Sequence, residues 1–125
     1  MSRKVVLIVD DDADIREILA ETLGSMDFDC ATAVNGLDAL AVVRKMAVRP
    51  SIILLDLMMP VMDGWQLLDE LKRDETIADI PVVVISAGKV DPRTPGPHEV
   101  LNKPLDYHKL VATLDRSMRP AVEMR

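Results

Sequence analysis

The apolar residues of this chain fall into short continuous runs separated by segments with helical spacing. Three runs are unbroken, at positions 5–9, 52–55 and 82–85. Four or five apolar residues without polar alternation are typical of a strand buried on both faces of a parallel sheet. A weaker candidate at 30–33 and the short run Val100-Leu101 bring the predicted strands to five.

Between these runs, apolar residues recur every three or four positions, which predicts amphipathic helices. The predicted starts are Asp14 (with Glu17 in a capping arrangement), Asn35-Gly36, Asp63-Gly64 and Asp106. The residues predicted to share the inward helical faces are, in chain order, Ile15, Ile18, Leu19, Thr22 and Leu23; Leu37, Leu40 and Ala41; Trp65, Leu68, Leu71 and Lys72; and Tyr107, Leu110, Val111, Leu114 and Met118.

The alternation of strands and helices predicts an α/β fold: a doubly wound five-stranded parallel sheet with right-handed crossovers. The segment 87–99 departs from this alternation. It contains three prolines and two glycines, which leave no room for a stable helix interior. We therefore expect the fourth crossover helix to be short or missing.

Length and composition narrow the class of protein. A chain of 125 residues can form one domain with a core of its own. The single cysteine, Cys30, excludes an internal disulfide and is typical of a reducing cytoplasm. The first apolar run is too short for a signal peptide or a membrane span, so membrane insertion is not expected. A net charge of −6 argues against direct nucleic-acid binding through a basic face.

Polar residues follow the predicted strands where each strand ends. Asp10 and Asp11 follow the first strand, Asp56 ends the third, Ser86 ends the fourth and Lys103 follows the fifth. The carboxyl ends of parallel strands lie on one edge of a sheet, where open α/β folds bind their ligands. We therefore expect these five side chains to form one polar site.

Clustered carboxylates repel one another unless a cation joins them, and Mg²⁺ prefers oxygen ligands. We predict Asp11 and Asp56 as direct ligands, the backbone carbonyl of Met58 as a third, and Asp10 acting through water. Asp56 could then attack a phosphoryl group. Lys103 and the metal would offset the charge on the phosphoryl oxygens, and Ser86 would donate a hydrogen bond to one of them.

These segments, in this order, resemble the receiver domain of two-component response regulators. The motifs are Val9-Asp10-Asp11-Asp12, positions 55–64 around Asp56, Ile85-Ser86-Ala87 and Lys103-Pro104, and the resemblance extends from Lys4 to Met118. It implies a flavodoxin-like strand order of 2-1-3-4-5 and a cis peptide bond before Pro104. It also implies roles: Asp10 and Asp11 as the acidic pair, Asp56 as phosphoacceptor, Ser86 as the switch hydroxyl and Lys103 as the phosphate-binding lysine.

The resemblance implies a phosphoacceptor switch, catalysing only its own phosphorylation and dephosphorylation, rather than a turnover enzyme. The expected phosphodonor is a sensor histidine kinase or a phosphotransfer protein. We predict a receiver domain at 1–119, followed by a short tail at 120–125. Because no output domain is expected after this tail, the signal would pass through contacts with an unknown downstream protein, unless the sequence is a fragment of a longer chain.

Two departures from the family pattern keep an alternative open. Val100 stands where the family has its switch aromatic residue, and the segment between Ser86 and Lys103 is shorter than usual. Both favour a pseudo-receiver that binds partners without phosphorylation, whereas the complete acidic pocket favours a phosphoacceptor. Calcium binding by an EF-hand loop is rejected because Ile15 stands where that loop needs glycine. An aspartyl-phosphate phosphatase is rejected because Met58 stands where a second acid is needed.

Overall fold

The computed structural model describes residues 4–56, 64–86 and 99–118, which form a five-stranded parallel sheet with helices on both faces. The strand order is β2-β1-β3-β4-β5, which confirms the predicted doubly wound sheet of order 2-1-3-4-5. The strands are β1 Lys4–Val9, β2 Phe28–Ala33, β3 Ile52–Asp56, β4 Val82–Ser86 and β5 Glu99–Asn102.

Four helices are seen in the described residues: α1 Ala13–Gly24, α2 Gly36–Lys45, α3 Gly64–Arg73 and α4 Tyr107–Ser117. The prediction that the fourth crossover helix is short or missing concerns residues 87–98, between β4 and β5, which lie outside the described residues. None of the described helices is long and apolar enough to cross a membrane.

The continuous apolar runs reflect burial of the central strands on both faces of the sheet. In β1, Leu7 and Val9 pack into a cluster with α2 and α3, whereas Val6 and Ile8 pack into a second cluster with α1 and α4. Strands β3 and β4 divide their side chains in the same way. Because neither face is solvated, polar alternation along these strands is absent and the polar residues are left to the strand ends.

Three helices begin at a capping side chain that accepts hydrogen bonds from free backbone N–H groups. Asn35 accepts from the N–H of Asp38 at 2.8 Å, and Asp106 caps α4, as predicted. The predicted start of α1 at Asp14 is wrong. Asp12 is the cap: its backbone is extended, and its carboxylate accepts from the N–H of Asp14 at 2.9 Å.

The predicted inward faces are correct at their centres and wrong at their margins. Leu19, Leu23, Leu40, Leu68, Leu71, Leu110 and Leu114 are buried, as predicted. Ile18 and Leu37, however, are 48% and 56% exposed, Tyr107 is 40% exposed, and Ala41 is also exposed. In α2 the buried residues are Gly36, Ala39, Leu40 and Val43, so the contacting stripe is rotated away from Leu37 and Ala41. Periodicity gives the spacing of such a stripe but not its width.

Candidate functional site

The predicted site residues lie at the carboxyl edge of the sheet. Asp10 directly follows β1, Asp56 is the last residue of β3 and Ser86 is the last residue of β4. Lys103 follows β5, and its backbone N–H donates to the carbonyl of Ser86 at 2.9 Å. This bond extends the pairing of β4 and β5 by one step and brings the lysine to the same edge. The peptide bond between Lys103 and Pro104 is cis, as the resemblance implied.

Three carboxylates converge at this edge. Asp10, Asp11 and Asp56 each place one oxygen within 4.8 Å of the others. Asp10 and Asp56 are only 2% and 6% exposed, whereas Asp11 is exposed to solvent. Like charges so close and so poorly hydrated are unfavourable unless a cation offsets them.

Lys103 supplies one such cation from the protein itself. Its Nζ lies 3.6 Å from Oδ2 of Asp56, and its side chain is about one third exposed. The ammonium group therefore lies beside one of the two buried carboxylates while remaining accessible from solvent. A single positive charge cannot balance three carboxylates, so a net negative charge remains.

Asp10 is the most deeply buried of the three carboxylates. Its Oδ1 accepts a hydrogen bond from the N–H of Asp12 at 2.9 Å, whereas its buried Oδ2 has no hydrogen-bond partner among the described residues. Burial raises the pKa of Asp10 from 3.8 to about 6. The hydrogen bond from the Asp12 N–H and the charge of Lys103 lower the pKa of Asp10. The charges of Asp56 and Asp11 raise it.

An unpartnered, desolvated carboxylate oxygen beside two further carboxylates fits a hard divalent cation. Such a cation would satisfy the free oxygen and offset the repulsion, and Mg²⁺ is commonly held by one or two carboxylates and several waters. The residues present therefore fit the predicted magnesium site. Met58, whose carbonyl is the third predicted ligand, lies outside the described residues, as does the rest of 57–63.

Sequence reasoning missed one residue of this edge, Arg16 on α1. Its Nη1 donates to the backbone carbonyl of Asp10 at 2.8 Å. The sequence signal was weak: an arginine four residues after the helix cap Asp12 has no evident reason to turn back toward a neutral carbonyl. The contact is visible only once the path of the chain from β1 into α1 is known.

An apolar cleft of about 190 Å³ adjoins the lysine on the α1 side of the site. Ile15 and Ile18 of α1 form one wall, and Leu105 and Tyr107 are on the other, with Lys103 among the lining residues. Because Ile18 and Tyr107 are substantially exposed, the cleft opens to solvent. Val100, at the position of the family's switch aromatic, lies on the edge strand β5 and is also exposed.

Comparison with known proteins gives one consistent match. The family described as response regulator receiver domain matches residues 6–115. The phosphate regulon transcriptional regulatory protein PhoB of Pseudomonas aeruginosa is 37% identical, with the alignment covering 95% of this chain and 53% of that protein. The DNA-binding regulator RpaA of Synechocystis is 33% identical, with 91% of this chain and 48% of that protein covered. The chain thus spans about half the length of these curated relatives.

A solved structure gives the same match. The chemotaxis protein CheY4 of Vibrio cholerae superposes with a TM-score of 0.83 at 28% identity, covering 93% of this chain and 99% of that one.

Proposed function

This chain belongs to the response regulator receiver domain family, and from that premise we propose that it is a phosphoacceptor switch that takes a phosphoryl group onto Asp56 in a Mg²⁺-dependent step. We propose residues 1–119 as the receiver unit. The donor in this proposal is the phosphohistidine of a sensor histidine kinase or phosphotransfer protein. The output is contact with a downstream protein whose identity is open.

One observation carries the proposal: a nearly buried carboxylate at the end of a central strand, with an ammonium group and two further carboxylates close to it. Nζ of Lys103 is 3.6 Å from Oδ2 of Asp56, and the carboxylates of Asp10 and Asp11 complete the cluster. A purely structural role would favour neutral residues here, because buried charges that lack a function are costly. The arrangement therefore supports a reactive Asp56 over a pseudo-receiver.

The proposed metal ligands are Asp10, Asp11 and Asp56, with the carbonyl of Met58 as a further ligand. A bound Mg²⁺ ion would offset carboxylate charge and draw phosphoryl oxygens to the site. With the repulsion reduced, an oxygen of Asp56 attacks phosphorus. The new O–P bond forms as the P–N bond to the donor imidazole breaks, and the imidazole leaves with the bonding electron pair.

Lys103 and Ser86 act on the transferred group. The Lys103 ammonium stabilises the negative charge that spreads over the phosphoryl oxygens during transfer. The Ser86 hydroxyl, at the end of the neighbouring strand, donates a hydrogen bond to one of these oxygens afterwards. The product is an aspartyl phosphate, which replaces a monoanionic carboxylate by a bulkier group of greater negative charge.

The cleft beside Lys103 supports a specific approach for the protein donor. The exposed face of α1 carries Asp14, Glu17 and Glu21 around the apolar Ile18. This pattern is complementary to a helix that presents an apolar side chain flanked by lysine or arginine. We propose that the histidine-bearing helix of the donor docks here, close enough to the strand ends for direct transfer.

The proposal is tested by incubating the whole chain with acetyl phosphate, with Mg²⁺ or with EDTA, and measuring the intact mass. The wild type should gain one phosphoryl group only when Mg²⁺ is present. The near-isosteric Asp56→Asn variant, which lacks the nucleophilic carboxylate, should gain none. Equal gain by the two proteins would reject Asp56 as phosphoacceptor, and no gain in either protein would support the pseudo-receiver instead.

A further inference from the structure

Every hydrogen-bonding group of Asp10 other than Oδ2 is fixed by a contact. Its N–H donates to the carbonyl of Ala33 on β2 at 3.2 Å. Its carbonyl accepts from Nη1 of Arg16 at 2.8 Å, and its Oδ1 accepts from the N–H of Asp12 at 2.9 Å. The first two contacts hold the backbone on either side of the residue, and the third holds the carboxylate itself. Together they determine where the unpartnered Oδ2 lies.

We propose that Arg16 is a positioning residue for the metal site, an inference that rests on the proposed Mg²⁺-dependent function. By holding the carbonyl of Asp10, Arg16 fixes the path of the chain from β1 into α1 and so keeps Oδ2 among the carboxylates of Asp11 and Asp56. Arg16 is not itself a ligand, because a guanidinium group has no free lone pair to offer a cation.

Of these three contacts to Asp10, the one from Arg16 is made by a side chain, whereas Ala33 and Asp12 contribute backbone groups. Arg16 is half-buried and reaches back from the first turn of α1. Partners that orient metal ligands commonly affect metal affinity by about 10–100-fold when they are removed. A substitution of Arg16 therefore removes its contact with the Asp10 carbonyl and leaves every proposed metal ligand unchanged.

Removing the charge of Arg16 and removing its positioning contact should change the Mg²⁺ affinity in opposite directions. A guanidinium group bonded to the backbone of Asp10 opposes the approach of a cation to that residue, so charge removal alone would strengthen Mg²⁺ binding. Loss of positioning would weaken it. A merely structural role would lower the stability of the fold and leave Mg²⁺ affinity unchanged.

Arg49 provides a matched control at the opposite end of the sheet. Its Nη1 also donates to a backbone carbonyl, that of Thr76, at 3.2 Å, and it also pairs with Asp79. It precedes β3, whereas Asp56 ends that strand, so it lies at the amino edge, away from the site. Removing Arg49 therefore costs comparable contacts without touching the carboxylate cluster.

The experiment measures Mg²⁺ dissociation constants by calorimetry, with metal-free melting temperatures in parallel, for the whole chain and its variants. Arg16→Met should bind Mg²⁺ about tenfold more weakly than the wild type. Arg16→Lys, which restores a cationic donor, should recover most of the affinity, and Arg49→Met should match the wild type. If Arg16→Met fails to fold, Arg16→Gln takes its place, because its shorter amide should not reach the carbonyl and the same loss is expected.

An unchanged or stronger affinity in Arg16→Met, or in Arg16→Gln where that variant replaces it, measured against a wild type that binds Mg²⁺, would overturn the positioning role alone. Equal weakening in Arg16→Met and Arg49→Met would also overturn it, since the effect would then reflect general destabilisation. A wild type that does not bind Mg²⁺ would instead reject the proposed function on which the inference rests.

Discussion

Replacing Asp10 by asparagine should stabilise the metal-free protein at neutral pH. Asp10 is 2% exposed, and its Oδ2 lacks a hydrogen-bond partner among the described residues. Asparagine keeps an oxygen that can accept from the N–H of Asp12 and replaces the unpartnered oxygen with an amide that can donate to a neighbouring carboxylate. The substitution thus removes one buried negative charge and retains the shape of the side chain.

The raised pKa of Asp10 determines the sign and size of the effect. A carboxyl group with a higher pKa in the folded state binds protons more tightly when folded, so the free energy of unfolding falls as the pH rises from 3.8 to about 6. Above that range the loss is complete. At 1.36 kcal/mol per pH unit the loss is roughly 3 kcal/mol.

Because the amide of asparagine must itself be desolvated, we expect Asp10→Asn to recover about 1–3 kcal/mol near neutral pH. For a chain of this size the gain corresponds to an increase of about 5–10 °C in melting temperature.

The assay is thermal and urea unfolding of wild type and Asp10→Asn in EDTA, near pH 4 and near pH 7. The two proteins should differ little near pH 4, because Asp10 is still protonated in the folded state there and little of the loss has occurred, and they should differ most near pH 7. Saturating Mg²⁺ should narrow the gap, because the ion stabilises only the wild type strongly. Asp79→Asn is the control: Arg49 lowers the pKa of this exposed carboxyl, so its contribution is present at neutral pH and is lost as the pH falls.

A neutral or destabilising Asp10→Asn substitution near pH 7 without Mg²⁺ would show that the buried charge of Asp10 does not destabilise the metal-free protein. An equal gain at both pH values would also contradict the prediction, because the gain would then not come from the ionised carboxylate.

Two further predictions concern transfer. Ile18→Glu should slow phosphoryl transfer from an autophosphorylated histidine kinase while leaving modification by acetyl phosphate unchanged, because a charge would enter the apolar cleft but not the reactive site. Leu37→Glu, at a similarly exposed apolar residue of α2, is its control, and slowing by both variants would contradict the proposed docking face. Lys103→Met should slow phosphorylation by acetyl phosphate about 100-fold and strengthen Mg²⁺ binding, because it removes the ammonium 3.6 Å from Asp56. An unchanged rate of phosphorylation in a quenched time course would exclude Lys103 from phosphoryl transfer.

The sheet could be predicted because its central strands are buried on both faces. Burial on both faces leaves a continuous apolar run, and such runs mark the strand ends at Asp10, Asp56 and Ser86 almost to the residue. Once the strands are parallel, the shared edge follows from topology alone. It could therefore be predicted from the sequence that Asp10, Asp11, Asp56 and Lys103 lie close together.

Features that depend on how one element is rotated against another were not predictable in this way. Ile18 and Leu37 have the spacing of core residues but lie at the margins of their helices. The choice of Asp12 over Asp14 as the cap of α1 depends on where the chain leaves its extended conformation. Arg16 bonds to a backbone carbonyl, and side-chain patterns carry no information about such a partner.

The most direct test of the account identifies the phosphorylated residue. The wild type is treated with acetyl phosphate and Mg²⁺, reduced with borohydride, which converts an aspartyl phosphate to homoserine, and mapped by peptide mass spectrometry. Homoserine is expected at position 56 alone, and none is expected when EDTA replaces Mg²⁺. Homoserine at position 10 or 11, or equal conversion in EDTA, would contradict Mg²⁺-dependent phosphorylation of Asp56.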